Sequence, residues 1–303
     1  MRPPPARAAR WVGYIVVAMP VNTDNAIVLR LYDYSESSQI AALFTADAGI
    51  VRLLAKGAKR VTKTRISVGL DLLEWGDLSY SNSRGGGSMG NLHEWLQRDA
   101  FAGLRHSLAA TCAALTAAEI TQMMMEEADP HREVFDALLG LLRELDAAAL
   151  VGPDATRPAA ALVRYQAELL KSTGFAPLLR ECVNCGKPRV RGTRAWFSSR
   201  GGGLLCENCY ATVPEKRSIA PALLDSPRGT TNPRDWVQLL NYHIAMVAGR
   251  EVRSAAALMR AIGTRRATGS NANASANVIA NQTTSAAPPD DQPPDSGVAL
   301  GPT

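Results

Sequence analysis

The first part of the chain, from about residue 25 to about residue 95, alternates apolar and polar positions. A half-buried β-strand produces this period of two, because successive side chains point to opposite faces of a sheet. Three short strands and two longer ones are predicted, at residues 27–32, 40–45, 51–55, 70–80 and 88–96. The glycine-rich residues 81–87 suit a hairpin tip between the last two strands. Short strands spaced this closely favour a small barrel.

After Asp99 the apolar positions recur every three to four residues, which is the period of amphipathic helices. Helix starts are indicated by Asp129-Pro130, Pro158 and Asn232-Pro233. The predicted apolar stripes are Leu104, Leu108, Cys112 and Leu115; Val134, Leu138, Leu141, Leu142 and Leu145; Leu162, Tyr165 and Leu169; and Trp236, Leu240, Ile244 and Val247. Each stripe buries one face of its helix, so the helices should form a bundle, with His243 as a hydrogen-bonded core residue.

These patterns predict an α+β fold. A five-stranded N-terminal barrel is expected at residues 21–98, and an α-helical domain at residues 99–262. A cysteine-containing segment, residues 175–212, is inserted in the helical domain. Residues 263–303 are polar with almost no large apolar side chains, and are expected to form a disordered tail because they cannot bury enough surface to become ordered.

Composition and charge narrow the function classes only a little. The chain is 46% hydrophobic and 20% charged, as in an ordinary soluble protein, and its formal net charge is +5. Three arginines in residues 1–20, the predicted leader, supply much of that charge, so an anionic partner must be inferred from where cations cluster. The leader's apolar run is too short to span a membrane. It resembles the start of a signal peptide, but an upstream start codon, with Met19 as the functional beginning, is the simpler interpretation.

Four cysteines carry the most specific motif in the chain. Cys182 and Cys185 form one Cys-x-x-Cys pair, Cys206 and Cys209 form another, and twenty residues separate the pairs. This spacing is typical of a zinc site in which four thiolates surround one tetrahedral ion. Four sulfur ligands leave no position for water or substrate, so structural Zn²⁺ is expected. Two disulfides or four buried thiols are the alternatives, and Cys112 stands apart as a buried apolar residue.

Two clusters of cations are candidate surfaces for DNA. The first has no acidic residue between positions 48 and 70 and consists of Arg52, Lys56, Lys59, Arg60, Lys63 and Arg65. Basic grooves on small barrels hold single strands, although a solvated basic loop would look the same in sequence. The second cluster lies between the cysteine pairs and consists of Lys187, Arg189, Arg191 and Arg194. Its neighbours Trp196 and Phe197 stack on bases or, as we favour, form a small core beneath the metal.

No catalytic constellation is recognisable in the sequence. His131-Arg132-Glu133 upstream of a cysteine pair invites comparison with zinc deaminases. The comparison fails because Glu181, not proline, precedes Cys182, because nearly fifty residues separate the two motifs, and because the second cysteine pair would have no role. His131 is better placed in the first turn of a helix. We therefore expect a protein that is not an enzyme.

The order of these parts resembles the bacterial RecO family of recombination mediators, from about residue 25 to residue 262. The matching motifs are Ile27-Val28-Leu29, Ser35-Glu36, Phe44-Thr45, Gly49 and Ala55-Lys56-Gly57-Ala58-Lys59-Arg60 in the barrel; Phe175, Leu178, the cysteines with Gly186, Phe197-Ser198 and Gly202-Gly203 in the middle; and Tyr242, Gly249-Arg250-Glu251 and Ser254 near the end. The leader, the hairpin tip and the tail depart from the family pattern.

The resemblance implies an oligonucleotide/oligosaccharide-binding (OB) barrel followed by a helical domain with the zinc site. It implies a cytoplasmic, nucleoid-associated protein for DNA repair and recombination that binds single- and double-stranded DNA and anneals complementary strands. It also implies contacts with RecR and single-strand-binding protein (SSB), and help in loading RecA. The other hypothesis from sequence is a zinc-ribbon module that binds RNA or a protein and does not anneal DNA; a zinc hydrolase is a third.

Overall fold

The structure is a computed structural model that describes residues 20–59, 69–82, 89–152, 156–226 and 231–263. Several sequence predictions lie outside the described residues: nearly all of the leader and of the tail, most of the hairpin tip, and Arg60, Lys63 and Arg65. Among the described residues, no helix is long and apolar enough to cross a lipid bilayer.

The N-terminal half of the described fold is a closed five-stranded barrel, as predicted. Its strands are β1 (Asn22–Asp33), β2 (Gln39–Thr45), β3 (Gly49–Ala55), β4 (Trp75–Ser81) and β5 (Met89–Asp99). They are hydrogen-bonded in the order β1-β2-β3-β5-β4, and β4 returns to β1. The β3–β5 pair is parallel, and the other pairs are antiparallel. Residues 70–74 were predicted to begin the fourth strand but form a turn, in which Leu73 has a left-handed φ of 69°.

Strand β1 serves two hydrophobic cores at once. Ala26 and Val28 pack inside the barrel, whereas Ile27 and Leu29 pack against the helices. The register with β2 shifts between Val28 and Arg30. A bulge of this kind adds one residue and turns the following side chains. Beyond it, Leu31 packs on the barrel interior, and Arg30 and Tyr32 are exposed.

The helical domain follows the barrel directly. Its α-helices are α1 (Leu108–Met124), α2 (Arg132–Val151), α3 (Thr156–Ser172), α4 (Pro221–Asp225), α5 (Pro233–Ala248) and α6 (Ala255–Ala261), and 3-10 turns occupy Ala102–His106 and Tyr210–Thr212. A second sheet, ordered β6-β8-β7-β9, lies within this domain. Its strands are β6 (Leu178–Cys182), β7 (Ala195–Ser198), β8 (Gly203–Leu205) and β9 (Arg217–Ile219).

The apolar stripe predicted for the first helix is only partly correct: Leu104 and Cys112 are buried, but Leu108 and Leu115 are not, whereas the next two stripes are buried as predicted. Leu108 is 71% exposed and Leu115 is 37% exposed. Helix α1 contacts α2, α3, α5 and α6, and is buried mainly through its alanines. Small side chains let several helices approach one central helix closely, so counting only large apolar residues placed the buried face incorrectly.

The barrel is fixed to the helical domain by backbone as well as side-chain contacts. Ile50 forms an isolated bridge with Glu127, and the backbone N–H of Ala128 donates to its carbonyl at 3.1 Å. Gly49 has a φ of +71°, and a Cβ there would collide with the backbone of Asp129. Phe44 of the barrel meets Phe135 of α2 edge to face, with ring centroids 5.8 Å apart. The barrel surface therefore has a defined orientation on the helices.

Two leucine variants test this packing. Leu142→Ala should lower the free energy of unfolding by about 2 to 5 kcal/mol, because Leu142 is completely buried and a cavity would remain. Leu108→Ala should change it by less than about 0.5 kcal/mol because Leu108 is exposed. Urea unfolding measures both. A large loss for Leu108→Ala would restore the predicted stripe and contradict the described position of α1.

Candidate metal centre and nucleic-acid surface

The four cysteines converge because the two strands that carry them are parallel neighbours. Strand β6 ends at Cys182, and Cys206 follows the end of β8. The carboxyl ends of parallel strands meet at the same edge of a sheet, so both cysteine pairs reach one point. The four Sγ atoms lie within 4.8 Å of one another, and those of Cys185 and Cys206 are 3.7 Å apart. This separation far exceeds an S–S bond of about 2.05 Å.

Each cysteine pair is held in a tight turn. Gly186 has a φ of +71°, and its N–H donates to the carbonyl of Cys182 at 2.8 Å. The N–H of Cys209 donates to the carbonyl of Cys206 at 3.0 Å. The N–H of Cys206 points at the Sγ of Cys182, 3.4 Å away. Such N–H donors stabilise thiolate sulfur, so the backbone is arranged for metal-binding cysteines.

The four sulfurs cannot all be charged unless a cation lies between them. Burial tends to raise the pKa of Cys182, but N–H donors from Cys206, Asn184 and Cys185 outweigh it and lower this pKa to about 6. The N–H of Lys187 tends to lower the pKa of Cys185, but burial and the neighbouring thiols raise it to about 11. Four thiolates this close repel one another unless a cation lies between them. The four cysteines fit one metal ion, with every position of a tetrahedral site filled by sulfur.

Trp196 and Phe197, which follow the second basic cluster, have separate roles. Trp196 is stacked on Tyr210, with ring centroids 3.9 Å apart and the planes 8° from parallel. It packs in a small cluster around Cys182, Cys209 and Leu205, as the favoured interpretation from sequence required. Phe197 instead belongs to the main core. It is fully buried and meets His243 edge to face. It therefore connects the metal segment, which we define as residues 178–219 from β6 to β9, to the helices.

The core role predicted for His243 is confirmed. Its Nε2 lies 2.9 Å from the carbonyl oxygen of Phe175, which only accepts, so Nε2 carries the hydrogen. The Nδ1 atom therefore accepts from the hydroxyl of Ser199, 2.8 Å away. Burial lowers the pKa of His243 and favours this neutral form. The histidine joins α5 to the chain on both sides of the first cysteine pair.

Glu215 forms a second connection between the metal segment and α5, which the sequence did not predict. Its carboxylate accepts hydrogen bonds from the hydroxyls of Tyr242 and Ser198 and from the backbone N–H groups of Ser199 and Arg200. Burial tends to raise the pKa of Glu215, but these donors outweigh it and hold the pKa below its usual range. Arg217 covers the Tyr242 ring, with its guanidinium carbon 3.6 Å from the centroid. The metal segment is therefore clamped onto α5 by polar contacts.

The described part of the first basic cluster lies along one side of the barrel. Lys56 is exposed, and it lines a cavity of about 170 Å³ near the end of the barrel. Lys59 pairs with Asp33, and Arg52 pairs with Glu127 at 2.6 Å. Lys56 has no carboxylate partner among the described residues, so its charge is the most available of the three.

The second basic cluster is less available than its sequence suggests. Arg189 is only 10% exposed and pairs with Asp225 at 2.6 Å, so it is not free for an acidic partner. Arg191 donates to the backbone carbonyl of Asp225 at 3.1 Å but remains exposed. Lys187 and Arg194 are exposed and line one groove beside the second cysteine pair. Lys187, Arg191 and Arg194 are therefore the more accessible cations of the second cluster.

His131 is not part of the cysteine site. It is the N-cap residue of α2, where its ring nitrogens lie 3.1 Å from Asp129 and 3.4 Å from Glu133. Among the described residues, the group identified as able to hold a metal consists of cysteines alone. The comparison with zinc deaminases, which already fails in the sequence, has no geometric support in this part of the chain either.

Comparison with known proteins agrees with this architecture. Residues 19–101 match the family described as Recombination protein O N terminal, and residues 105–235 match Recombination protein O C terminal. The DNA repair protein RecO of Rhodopirellula baltica is 36% identical over 204 residues, which cover 67% of this chain and 72% of that protein. This chain belongs to the RecO family. The RecO proteins of Anaeromyxobacter dehalogenans (strain 2CP-C) and a Nocardioides species are 32% and 30% identical over 76% and 78% of this chain, and over 86% and 91% of their own lengths.

The RecO-like residues near the end of this chain have structural roles. Gly249 ends α5 with a φ of 66°. Arg250 donates to the carbonyl of Gln122 at 3.0 Å, and the backbone N–H groups of Arg253 and Ser254 donate to Glu119 at 2.8 Å. These contacts hold the start of α6 against α1. Residues 249–254 therefore help to maintain the helical bundle.

The metal site can be tested with matched cysteine variants. We expect one metal ion per chain in the purified protein and in Cys112→Ala, and much less in Cys182→Ser, because only the latter removes a ligand. Mass spectrometry of the metal content measures the stoichiometry, and hydrogen exchange follows residues 178–219. This segment should lose protection in Cys182→Ser, since metal binding in such sites supplies folding free energy. Full protection without bound metal would show that the ion is dispensable.

Glu215→Gln tests the clamp on α5. At neutral pH it should lower the free energy of unfolding by about 1 to 3 kcal/mol, because the donors lose a charged acceptor. The lowered pKa means that the carboxylate's contribution is present above its unfolded-state pKa and is lost as pH falls through the folded-state pKa. The difference between the two proteins should therefore shrink in acid. Thermal melts compare them, with the exposed Glu251→Gln as control; equal stability at neutral pH would contradict the clamp.

Proposed function

We propose that this protein is a DNA repair and recombination mediator that holds single strands along the basic side of its barrel and promotes pairing of complementary strands. Membership of the RecO family is the observation that carries the proposal. The exposed Lys56 on a five-stranded barrel supports the location of the DNA surface. A zinc-ribbon module for RNA or protein has no comparable support.

The annealing step follows from electrostatics. Two complementary strands repel each other through their phosphates, and cations on the protein screen this repulsion and release condensed counterions. Base pairing then supplies the free energy, so no nucleotide hydrolysis and no covalent chemistry are needed. Lys56, Lys59 and Arg52 are the described contributors. Asp33 and Glu127 partly neutralise two of them, so DNA must compete with these ion pairs.

We also propose that the metal is Zn²⁺ and that it is structural. A donor set of four thiolates suits this ion, and the closed coordination leaves no position for a substrate. The ion would keep the turns at Cys182 and Cys206 in place, and through Glu215 and His243 the segment would stay attached to α5. Lys187, Arg191 and Arg194 then form a secondary surface for DNA, including double-stranded DNA.

The family relationship supports a set of partners that we assign to the helical half of the protein. These are RecR and SSB, with RecA loaded indirectly onto DNA that SSB has covered. The protein would act in the cytoplasm, on the nucleoid. None of these contacts requires an enzymatic activity of this chain.

Strand annealing on SSB-coated DNA tests the proposal. The wild-type protein should accelerate pairing of two complementary oligonucleotides, whereas Lys56→Gln with Lys59→Gln should do so more slowly. The double variant should also bind single strands more weakly, and the slope of log affinity against log salt should fall by about 1.4, because each phosphate contact contributes about 0.7. Fluorescence anisotropy at several salt concentrations measures the binding.

The matched control removes two cations from another surface. Arg164→Gln with Lys171→Gln changes two exposed residues of α3, each paired with a glutamate. This variant should anneal and bind like the wild type. If the wild-type protein fails to anneal, the proposed function is wrong; if both double variants bind alike, the DNA surface lies elsewhere.

A further inference from the structure

The outer face of the barrel carries exposed apolar side chains that belong to none of the hydrophobic cores. Because Leu31 packs on the barrel interior, its neighbours Arg30 and Tyr32 point outward. Tyr32 is 45% exposed, and Met89 on β5 is 37% exposed. Ile40 on β2 is partly exposed. None of these side chains packs into the hydrophobic clusters of the described fold.

The strand register arranges this face in two parallel rows. Directly opposed residues in neighbouring strands lie side by side on the same face of a sheet. The aromatic row runs from β1 to β5 through Tyr32, Ile40, Leu54 and Asn91. The cationic row runs beside it through Arg30, Ala42, Arg52 and Met89. Two residues along a strand separate the rows, a distance of about 7 Å.

Arg30 links the two rows. Its guanidinium carbon lies 4.8 Å from the centroid of the Tyr32 ring, within the range of a cation–π contact. No carboxylate within the described residues forms an ion pair with Arg30, unlike Lys59 and Arg52. The ring therefore has a positively charged neighbour whose charge is not neutralised, and this neighbour limits the orientations the ring can adopt.

The two rows together indicate which class of ligand binds this face. An apolar peptide would fill the aromatic row but leave the adjacent cations without a partner, whereas an acidic peptide would do the reverse. A single-stranded nucleic acid presents flat apolar bases and phosphates on one chain, and aromatic side chains bind unpaired bases by stacking. A duplex hides the faces of its bases, so it could engage only the cationic row.

Building on the proposed function, we propose that Tyr32 is a stacking platform for unpaired bases, with Arg30 holding the neighbouring phosphate. The barrel then recognises single strands through their bases as well as their charge. The stacked base stays on the outer face of β1 and β2, beside the residues after β3 that include Lys56 and Lys59.

Two fluorescently labelled oligonucleotides of equal length test the platform: an oligothymidylate and a strand of abasic sites with the same phosphates. Wild-type protein should bind the thymidylate more tightly in anisotropy titrations. Tyr32→Ala should weaken binding to the thymidylate about 5- to 150-fold, the range that loss of one stacking residue produces, and leave binding to the abasic strand unchanged. Its salt slope should stay at the wild-type value because no phosphate contact is removed.

Two variants serve as controls. Tyr32→Phe keeps the ring and should retain the preference for bases. Tyr34→Ala removes a 60% exposed tyrosine from the β1–β2 loop, outside the aromatic row, and should bind both strands like the wild type. Thermal melts of the three variants should coincide with that of the wild type, because the changed side chains are exposed.

Separate outcomes test the two proposals. If wild-type protein binds neither strand, both this inference and the proposed function are wrong. If it binds the two strands equally and with the same salt slope, DNA binding stands and the stacking platform is overturned. A change of oligomeric state in Tyr32→Ala, with no loss of base preference, would assign the row to protein contacts and also overturn it.

Discussion

Strand β1 has to bury both of its faces, and the rest of the molecule depends on how it does so. From Ala26 to Leu29 its residues alternate between the barrel interior and the helical domain, so that one strand belongs to two cores. The backbone of Ile50 and the glycine at position 49 bring a neighbouring strand against the same helices. This shared burial fixes the barrel on the bundle.

The bulge in β1 marks where that constraint ends. Beyond the register shift between Val28 and Arg30, one face of the strand no longer meets the helices, and arginine and tyrosine replace aliphatic residues. A polyanionic ligand can therefore occupy a surface next to the rigid junction without disturbing it. The metal segment contributes differently: its four sulfurs are close enough to share one metal ion, and its glutamate and serine contacts hold α5, so it stabilises the helical domain.

Local patterns in the sequence predicted much of this fold. The period of two located the strands, and the two Cys-x-x-Cys pairs located the metal site, because both patterns need only a short stretch of chain. The stripe on α1 was misplaced because small residues form that helix's contacts. The polar connections were not predictable, since Glu215 meets Tyr242 and Arg189 meets Asp225 only after the elements between them have folded. Tyr32 points outward because of the bulge between Val28 and Arg30, and no residue pattern in the sequence predicts this bulge.

In the proposed function, single strands lie on the outer face of β1 to β3, and the metal segment is mainly structural. Hydrogen–deuterium exchange with and without a single-stranded oligonucleotide tests this location of the DNA. Each proteolytic peptide reports the protection of its own part of the chain. Protection is expected at the end of β1, in β2 and around Lys56, with weaker changes at residues 187–194 and little change elsewhere between residues 178 and 219. Protection confined to the metal segment or to the helices would contradict it.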